Sequence, residues 1–553
     1  MNTRLLASLA APSALLLTAL TAPAEAISLK PIGTYESGSF DEGAAEIAAF
    51  APGASRLFVT NADANTIDVL DLTDPTAISK LFEIDLSLYG DGINSVAYNS
   101  ADGGYIAAAV EAEQAQDPGS VVFFDLDGIF QKALTVGALP DMVTFTPDGN
   151  KLLVANEGEP SGYEAGDVDP EGSVSIIDVS NGVDNAMVQT TATFNDFDSQ
   201  KQDLIDAGVR IFGPGASVSQ DLEPEYIAVS EDGKTAYVSL QENNALGILN
   251  LETGEFEEIV PLGFKDHSEV GNGLDASDRD DAINITNYPV FGMYQPDAIA
   301  TYSVDGKTYV VTANEGDARD YDGFEEEERI KDLELDPTAF PDAEALQEDE
   351  NLGRLDITTT LGDTDRDGDF DELYAYGARS FSIWDEDGKL VWDSGDQFEQ
   401  KLADLLPDDF NSTNDENDSF DSRSDAKGPE PEGVTIGAIG NKVFAFIGLE
   451  RVGGVMVYDV TDPTNPTFAS YTNNRDFSGD AEAGTAGDLG PEGLLFISRQ
   501  DSPTGKNLVV ATNEVSGTTT VYETVPEPGT VAGLLVMGAM GAMGLKRQRQ
   551  PRA

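Results

Sequence analysis

Short runs of apolar residues that end on a carboxylate recur along this chain. The clearest is Tyr309-Val310-Val311-Thr312-Ala313-Asn314-Glu315, and the same form returns as Leu152-Leu153-Val154-Ala155-Asn156-Glu157 and Ala236-Tyr237-Val238-Ser239-Leu240-Gln241-Glu242. It appears again in the runs ending at Glu450 and Glu514. Two weaker copies end at Glu111 and at Ala62, where Asp63 follows in place of the acid. Apolar runs this short, bounded by turn residues, read as strands. The turns carry breaker groups with a mechanism: Ala51-Pro52-Gly53, Asp74-Pro75, Pro147-Asp148-Gly149, Glu231-Asp232-Gly233 and Asp305-Gly306.

Each run falls second in a unit of four strands, with a period of about 45 residues where loops are short. The first unit has strands at 44–50, 56–61, 66–72 and 79–85; the second at 94–99, 105–111, 120–125 and 134–136. The third covers 142–194, the fourth 226–260, and the fifth starts at 298 and resumes at 380–393 after a long insertion. The sixth covers 433–471, and the seventh, 493–523, yields only three strands. Residues 29–35 form a strand without a unit of its own, which predicts that it completes the seventh sheet beside 519–522. The expected fold is all-β, a seven-bladed β-propeller closed by its N-terminal strand, with acidic loop insertions on one face. A pair of smaller β domains is the alternative.

Composition changes the picture in two ways. The formal charge of −70, from 31 Lys and Arg against 101 Asp and Glu, excludes nucleic acid and anionic lipid as partners and favours cations. The absence of Cys removes disulfides and thiolate metal sites. The ends suggest export. Arg4, an apolar stretch over 5–20 and Ala24-Glu25-Ala26 have the form of a Sec signal peptide at 1–26, leaving a mature domain at 27–524. At 525–553, Val525-Pro526-Glu527-Pro528-Gly529 leads into about 16 apolar residues, short for a stable span, closed by Lys546, Arg547, Arg549 and Arg552. This tail closely resembles the PEP-CTERM signal. The resemblance implies a transient membrane tail, an exosortase-type sorting partner and an extracellular or cell-surface location in a Gram-negative bacterium. An ordinary single-pass anchor is the other reading.

The candidate chemistry lies in the placement of acids. Innermost strands begin at Glu46, Asn94, Asp141, Glu225, Asp297, Glu432 and Glu492, five of them directly after Pro. Adjacent strands run antiparallel, so the start of a first strand and the end of a second open on one face. The expected acidic channel face therefore gathers Glu46, Asp141, Glu225, Asp297, Glu432 and Glu492. A second tier holds Glu111, Glu157, Glu242, Glu315, Glu450 and Glu514. Crowded carboxylates raise one another's pKa values unless cations neutralise them, and oxygen-only clusters suit Ca²⁺, with another divalent metal as the alternative. Arg319 and Arg451 follow second-tier acids as counter-ions or anion clamps. Against this stands the plain reading that Pro-Glu sets a turn and Asn-Glu bonds loop amides.

Long insertions at 196–221, 265–295, 317–378 and 401–427 fall mostly on that face. The third contains Asp363, Asp365, Asp367, Gly368, Asp369 and Asp371 in D-x-D-x-D-G-x-x-D spacing, a candidate calcium loop in which Tyr374 replaces the bidentate Glu of an EF-hand. A weaker cluster holds Asp266, His267, Asp275, Asp278, Asp280 and Asp281. His267 is the only His, so a Ser-His-Asp triad has little support, and no phosphate-binding Gly-rich loop follows a strand.

Five blocks then carry a family resemblance. They are Ser37-Gly38-Ser39-Phe40-Asp41-Glu42-Gly43, Asp169-Pro170-Glu171-Gly172-Ser173-Val174, Leu240-Gln241-Glu242-Asn243-Asn244-Ala245, Gly428-Pro429-Glu430-Pro431-Glu432-Gly433 and Gly448-Leu449-Glu450-Arg451. Together they resemble the choice-of-anchor I family, itself similar to the mesenchyme-specific cell-surface glycoproteins of animal biomineralisation. The resemblance implies a secreted or surface-tethered propeller with an exchangeable C-terminal anchor, expected to be monomeric. Two functions follow. The first is a calcium-binding surface propeller in contact with matrix polysaccharide, biofilm or mineral. The second is a metal-dependent phosphoesterase, alkaline phosphatase-like, with Glu315, Arg319, Glu450 and Arg451 as catalytic candidates. In architecture the acidic face is similar to that of calcium-dependent propeller phytases and of calcium-and-iron phosphatases, although no Cys iron ligand exists here.

Overall fold

The second strands are buried on both faces, which is why they read as continuous apolar runs rather than alternating ones. Lys151–Asn156 is buried from its second residue onward, and Leu508–Asn513 is buried throughout. The computed structural model describes residues 27–526. The expected signal peptide and nearly all of the expected sorting tail lie outside them.

The described chain is all-β and is built mainly from small antiparallel sheets. Seven sheets have four strands each, and six of these take their strands in simple sequence order. Their first strands are Ala48–Ala51, Gly92–Asn99, Pro140–Phe145, Ile227–Val229, Ile299–Val304, Pro431–Ile439 and Pro491–Ile497. In the last sheet the outer strand is Ile27–Glu36, beside Thr518–Pro526. The first strand of each sheet packs on that of the next, and Pro491–Ile497 packs back on Ala48–Ala51.

Apolar side chains fill the space between neighbouring sheets. Phe58, Val69 and Ile84 meet Ile93, Val96 and Val122 between the first two, and Leu57, Val59 and Leu70 meet Leu508, Val510 and Val521 between the last and the first. Between the sixth and seventh, Phe446 stacks on Phe496 at 5.8 Å.

The insertions differ from the expected loops. Residues 264–375 contribute a five-stranded mixed sheet made of Phe264–Asp266, Phe291–Met293, Tyr374–Ala375, Asp356–Thr358 and Glu327–Arg329, in that order. It has its own apolar core, with Leu274, Val290, Ile330, Leu352, Ile357 and Leu373. Strands of two or three residues are too short to leave a period in the sequence.

Candidate functional site

Four of the first strands are bulged where the acid series begins. Pro140 pairs with Asn156, but the next pair is Val143 with Val154, so Asp141 and Met142 stand opposite one residue. The same shift brackets Glu432, between Pro431 and Val434, and Glu492, between Pro491 and Leu494. Asn94 lies in the shift between Ile93 and Ser95. A bulge re-aims a side chain without ending the strand, and Pro is tolerated there because no ladder hydrogen bond needs its N–H. Glycine follows two of these acids for lack of room. A Cβ on Gly433 would stand 2.1 Å from the Glu492 carbonyl oxygen, and one on Gly493 2.2 Å from that of Glu46.

The second-tier acids are set differently. The Asn before Glu157 and before Glu315 turns back into its own sheet: Asn156 Nδ2 donates to Ser175 Oγ at 3.1 Å, and Asn314 Nδ2 to Ser382 Oγ at 2.8 Å. Anchored Asn side chains fix the strand end and leave the next residue at the rim.

The two tiers converge. A channel of about 520 Å³ is lined by residues from the first strands of all seven sheets, and Asp141, Glu492 and Asp297, which stands two residues before its strand, are among the lining residues. Burial raises the carboxyl of Glu46 to about 8, with repulsion from Glu514 and Asp141 adding to it. Asp141 rises to about 7 through burial and Glu159. Burial also pushes Glu225, Asp297, Glu432 and Glu492 well up. Their next causes are Glu242 for the first, Glu315 for the second, Glu492 for the third and Glu514 for the last. Glu157, Glu242 and Glu514 are raised by burial in the same way. Glu111 is raised by burial and by Asp91, at the margin of the group. None of the six inner-strand acids has an ion-pair partner among the described residues.

That crowding predicts a pH dependence. A carboxyl whose folded pKa exceeds its unfolded value binds its proton more tightly when folded, so stability falls as pH rises between the two values. For Glu46 the window runs from 4.5 to about 8. In chelator, the melting temperature should fall from pH 5 to pH 8 and level off above; calorimetry showing a rise over that interval would contradict the ring.

The candidate catalytic residues are held by partners. Arg319 is 1 % exposed. Its Nη1 contacts Asp221 Oδ1 and its Nη2 contacts Glu223 Oε2, both at 2.8 Å, and it lies 4.6 Å from the Phe212 ring centroid. Arg210 takes the same ring at 4.1 Å and pairs with Glu326. Arg319 is thus a counter-ion inside the fold. Arg451 Nε meets Glu430 Oε2 at 2.7 Å and its Nη1 meets Glu450 Oε1 at 3.0 Å. Glu315 accepts from Gln241 Nε2 at 2.9 Å and from Lys427 Nζ at 2.7 Å.

Sequence reasoning missed Glu430 and Lys427 as members of this group. Burial opposes ionisation of Glu430, yet Lys427, Arg423 and Arg451 hold its carboxyl far below the usual range. Glu430 does sit in one of the family-like blocks, with Lys427 and Arg423 shortly before it and Arg451 in a later block, but no local pattern says that the three cations converge on it.

In the candidate calcium loop, Asp363, Asp365 and Asp371 bring carboxylate oxygens within 4.8 Å of one another. Asp369 joins Asp371 and Asp336 in a second such group. Asp367 belongs to neither, and its backbone N–H donates to Asp363 Oδ1 at 3.1 Å. Gly368 has φ 105°, the conformation the tight coil needs. Asp336 was not foreseen. An isolated parallel bridge between Leu335 and Phe370 delivers it, a long-range pairing without a local signal. Tyr374 stacks on Phe291 at 5.3 Å and donates to Glu372, so it offers the loop no ligand.

The weaker acidic cluster is dispersed. Asp278 pairs with Arg354 and Arg279. His267 is buried, with its Nδ1 2.6 Å from the Asn272 carbonyl oxygen; burial and Lys265 push its pKa down to about 3. A neutral, enclosed imidazole of that kind is structural.

These features define an all-β chain of small sheets around a carboxylate-lined channel. The chain belongs to the choice-of-anchor I family, whose domain it matches over residues 46–463. It is similar to Gigasin-3a of Magallana gigas, 33% identical over 189 residues, which are 32% of this chain and 66% of that protein. It is also similar to the mesenchyme-specific cell surface glycoprotein of Strongylocentrotus purpuratus, 28% identical over 349 residues, 56% of this chain and 41% of that protein. The chain thus spans less than two thirds of either relative. Among solved structures, Kuenenia stuttgartiensis hydrazine synthase aligns over 89% of this chain and 100% of that one, at a TM-score of 0.44 and 14% identity. The β-propeller domain of Myceliophteria thermophila Cps50 (Swd1) aligns over 90% of this chain and 100% of that one, at 0.43 and 10%.

Proposed function

We propose that this chain is an exported, surface-associated seven-bladed β-propeller, closed by its N-terminal strand, that binds calcium and serves in contact with extracellular matrix, biofilm or mineral. Similarity to a cell surface glycoprotein supports the location. Exosortase-type handling of residues 525–553 would be the route. The ring of contacts among seven first strands supports the blade count.

The observation that carries calcium binding is the set of six mutually repelling inner-strand carboxylates, of which Asp141, Asp297 and Glu492 line one channel, with no Lys or Arg paired to them among the described residues. Like charges this close and this buried are costly unless a cation shares the space. Oxygen donors without Cys or exposed His select Ca²⁺, Mg²⁺ or Mn²⁺, and the D-x-D-x-D-G loop adds a second oxygen-only group. A phosphoesterase here would have to take phosphate on its bound metal without help from a free cationic side chain. Arg319 and Arg451 are spent on carboxylates, so the binding role is the better-supported reading.

Saturating calcium at pH 8 should raise the melting temperature by about 4 °C per ion at a thousandfold excess over Kd, given about 4 kcal/mol of linkage spread over a domain of this size. No shift, and no metal retained after dialysis, would overturn calcium binding. Phosphate release from a generic phosphomonoester, dependent on added calcium, would instead favour the enzyme.

A further inference from the structure

Two oxygen-only triads meet at the channel mouth and share one residue. Asp297, Glu315 and Glu432 bring carboxylate oxygens within 4.8 Å of one another, and so do Glu315, Glu430 and Glu450. That spacing is about twice a calcium–oxygen bond, so either triad has room for an ion at its centre.

Their electrostatics differ. In the second triad Lys427 Nζ lies 2.7 Å from Glu315 Oε1 and 3.3 Å from Glu430 Oε2. Each oxygen of Glu430 carries a guanidinium, Arg423 on Oε1 at 2.5 Å and Arg451 on Oε2 at 2.7 Å. An ammonium and two guanidiniums already supply the positive charge there, and a divalent ion beside them would be repelled. In the first triad neither Asp297 nor Glu432 has an ion-pair partner among the described residues. Glu432 Oε2 is sealed from solvent and accepts no hydrogen bond.

A neighbour carries the same sign of a missing partner. Glu450 is 4 % exposed, and it repels both Glu432 and Glu315 as a near like charge. Its Oε1 accepts from Asn414 at 2.8 Å and meets Arg451 Nη1 at 3.0 Å, whereas its Oε2 is buried with nothing bonded to it. Buried acceptors are nearly always satisfied, so two vacant carboxylate oxygens beside one triad point to a ligand that supplies positive charge.

The geometry is also prearranged. Asp297 lies two residues before the first strand Ile299–Val304, Glu432 is the second residue of Pro431–Ile439 in the adjacent sheet, and Glu315 directly follows the strand Lys307–Asn314. Gln241 Nε2 and Lys427 Nζ each hold one oxygen of Glu315. Positions set by strands and fixed from a second layer are how proteins build metal sites rather than diffuse acidic surfaces.

We infer that one divalent cation of the calcium class is held at the channel mouth by Asp297, Glu315 and Glu432 with Glu450 beside it, and that Lys427 closes the adjoining triad to metal. This rests on the calcium-binding reading above and assigns its site.

The test is calcium binding to the purified protein at pH 8 by equilibrium dialysis and by calorimetry, in a D363N/D371N background that takes a ligand from both oxygen-only groups of the loop. One ion should remain bound. Glu432→Gln and Asp297→Asn should each weaken it by at least about tenfold, while Glu492→Gln, in the same ring but outside the triad, changes it by less than about threefold. Both Gln variants are isosteric and relieve repulsion, so their metal-free melting temperatures should not fall, which separates ligand loss from misfolding. Equal weakening by Glu432→Gln and Glu492→Gln would mean a diffuse field and would overturn the assignment. If the parent binds calcium and the D363N/D371N protein binds none, this site fails while the loop stands; if the parent binds none, the underlying calcium reading fails with it.

Discussion

A chain lacking residues 28–36 should lose several kcal/mol of stability and aggregate at concentrations where the parent is soluble. The strand Ile27–Glu36 lies outermost in the last sheet, yet it touches three sheets. Thr34 Oγ1 meets Thr520 Oγ1 at 2.8 Å in its own sheet. Tyr35 Oη donates to Asp68 Oδ2 at 2.9 Å in the first sheet, and Thr472 Oγ1 of the sixth donates to the Leu29 carbonyl oxygen at 3.2 Å. Leu29 is buried, and Ile32 and Tyr35 pack on the cluster between the last and first sheets. Losing one fully buried Leu costs about 1.5–3 kcal/mol, and the partly buried pair brings the total to about 4. Against a net stability of about 5–15 kcal/mol that is a large share. Deletion also bares the edge of Thr518–Pro526, which templates association. Thermal melts and light scattering on the truncated protein test this, and a peptide of residues 27–36 added in trans should restore part of the loss. A truncated protein that melts with the parent and stays dispersed would show that the strand is dispensable.

What the sequence made legible follows from where each signal is local. The second strands announced themselves because burial on both faces demands an unbroken apolar run, as in Leu508–Asn513, and the turns because Pro and Gly mark them within a few residues. The convergence of Asp297, Glu315 and Glu432 followed from strand direction alone, since antiparallel neighbours open on one face. The bulges that aim Asp141, Glu432 and Glu492 were invisible, because a bulge is a mismatch between two strands and neither strand encodes it alone. Asp336 escaped for the same reason, being delivered by a bridge to Phe370. Lys427 and Glu430 look like ordinary surface charges in sequence; their roles exist only because 401–427 folds back over the rim to Glu315.

The second large effect concerns Arg319, which chemistry alone would nominate as a phosphate clamp. Arg319→Met should cost about 3–5 kcal/mol, because it leaves Asp221 and Glu223 buried without their shared counter-charge. Both carboxylates are almost wholly enclosed, and Asp221 further accepts the Gly213 N–H at 2.6 Å and the Phe212 N–H at 3.0 Å, so neither can swing out to solvent. Methionine fills most of the volume, and burying it on Phe212 returns little against two stranded charges. The matched variant Arg451→Met should cost far less, since its side chain is 25% exposed and Glu430 keeps Lys427 and Arg423. Denaturant midpoints for the two proteins test the contrast; equal midpoints would remove Arg319 from the fold's support and return it to the rim as a free cation. A steep loss for Arg319→Met has a further consequence. Any activity abolished by that substitution would report unfolding rather than chemistry, so Arg319 is not a position at which an anion-binding role can be probed.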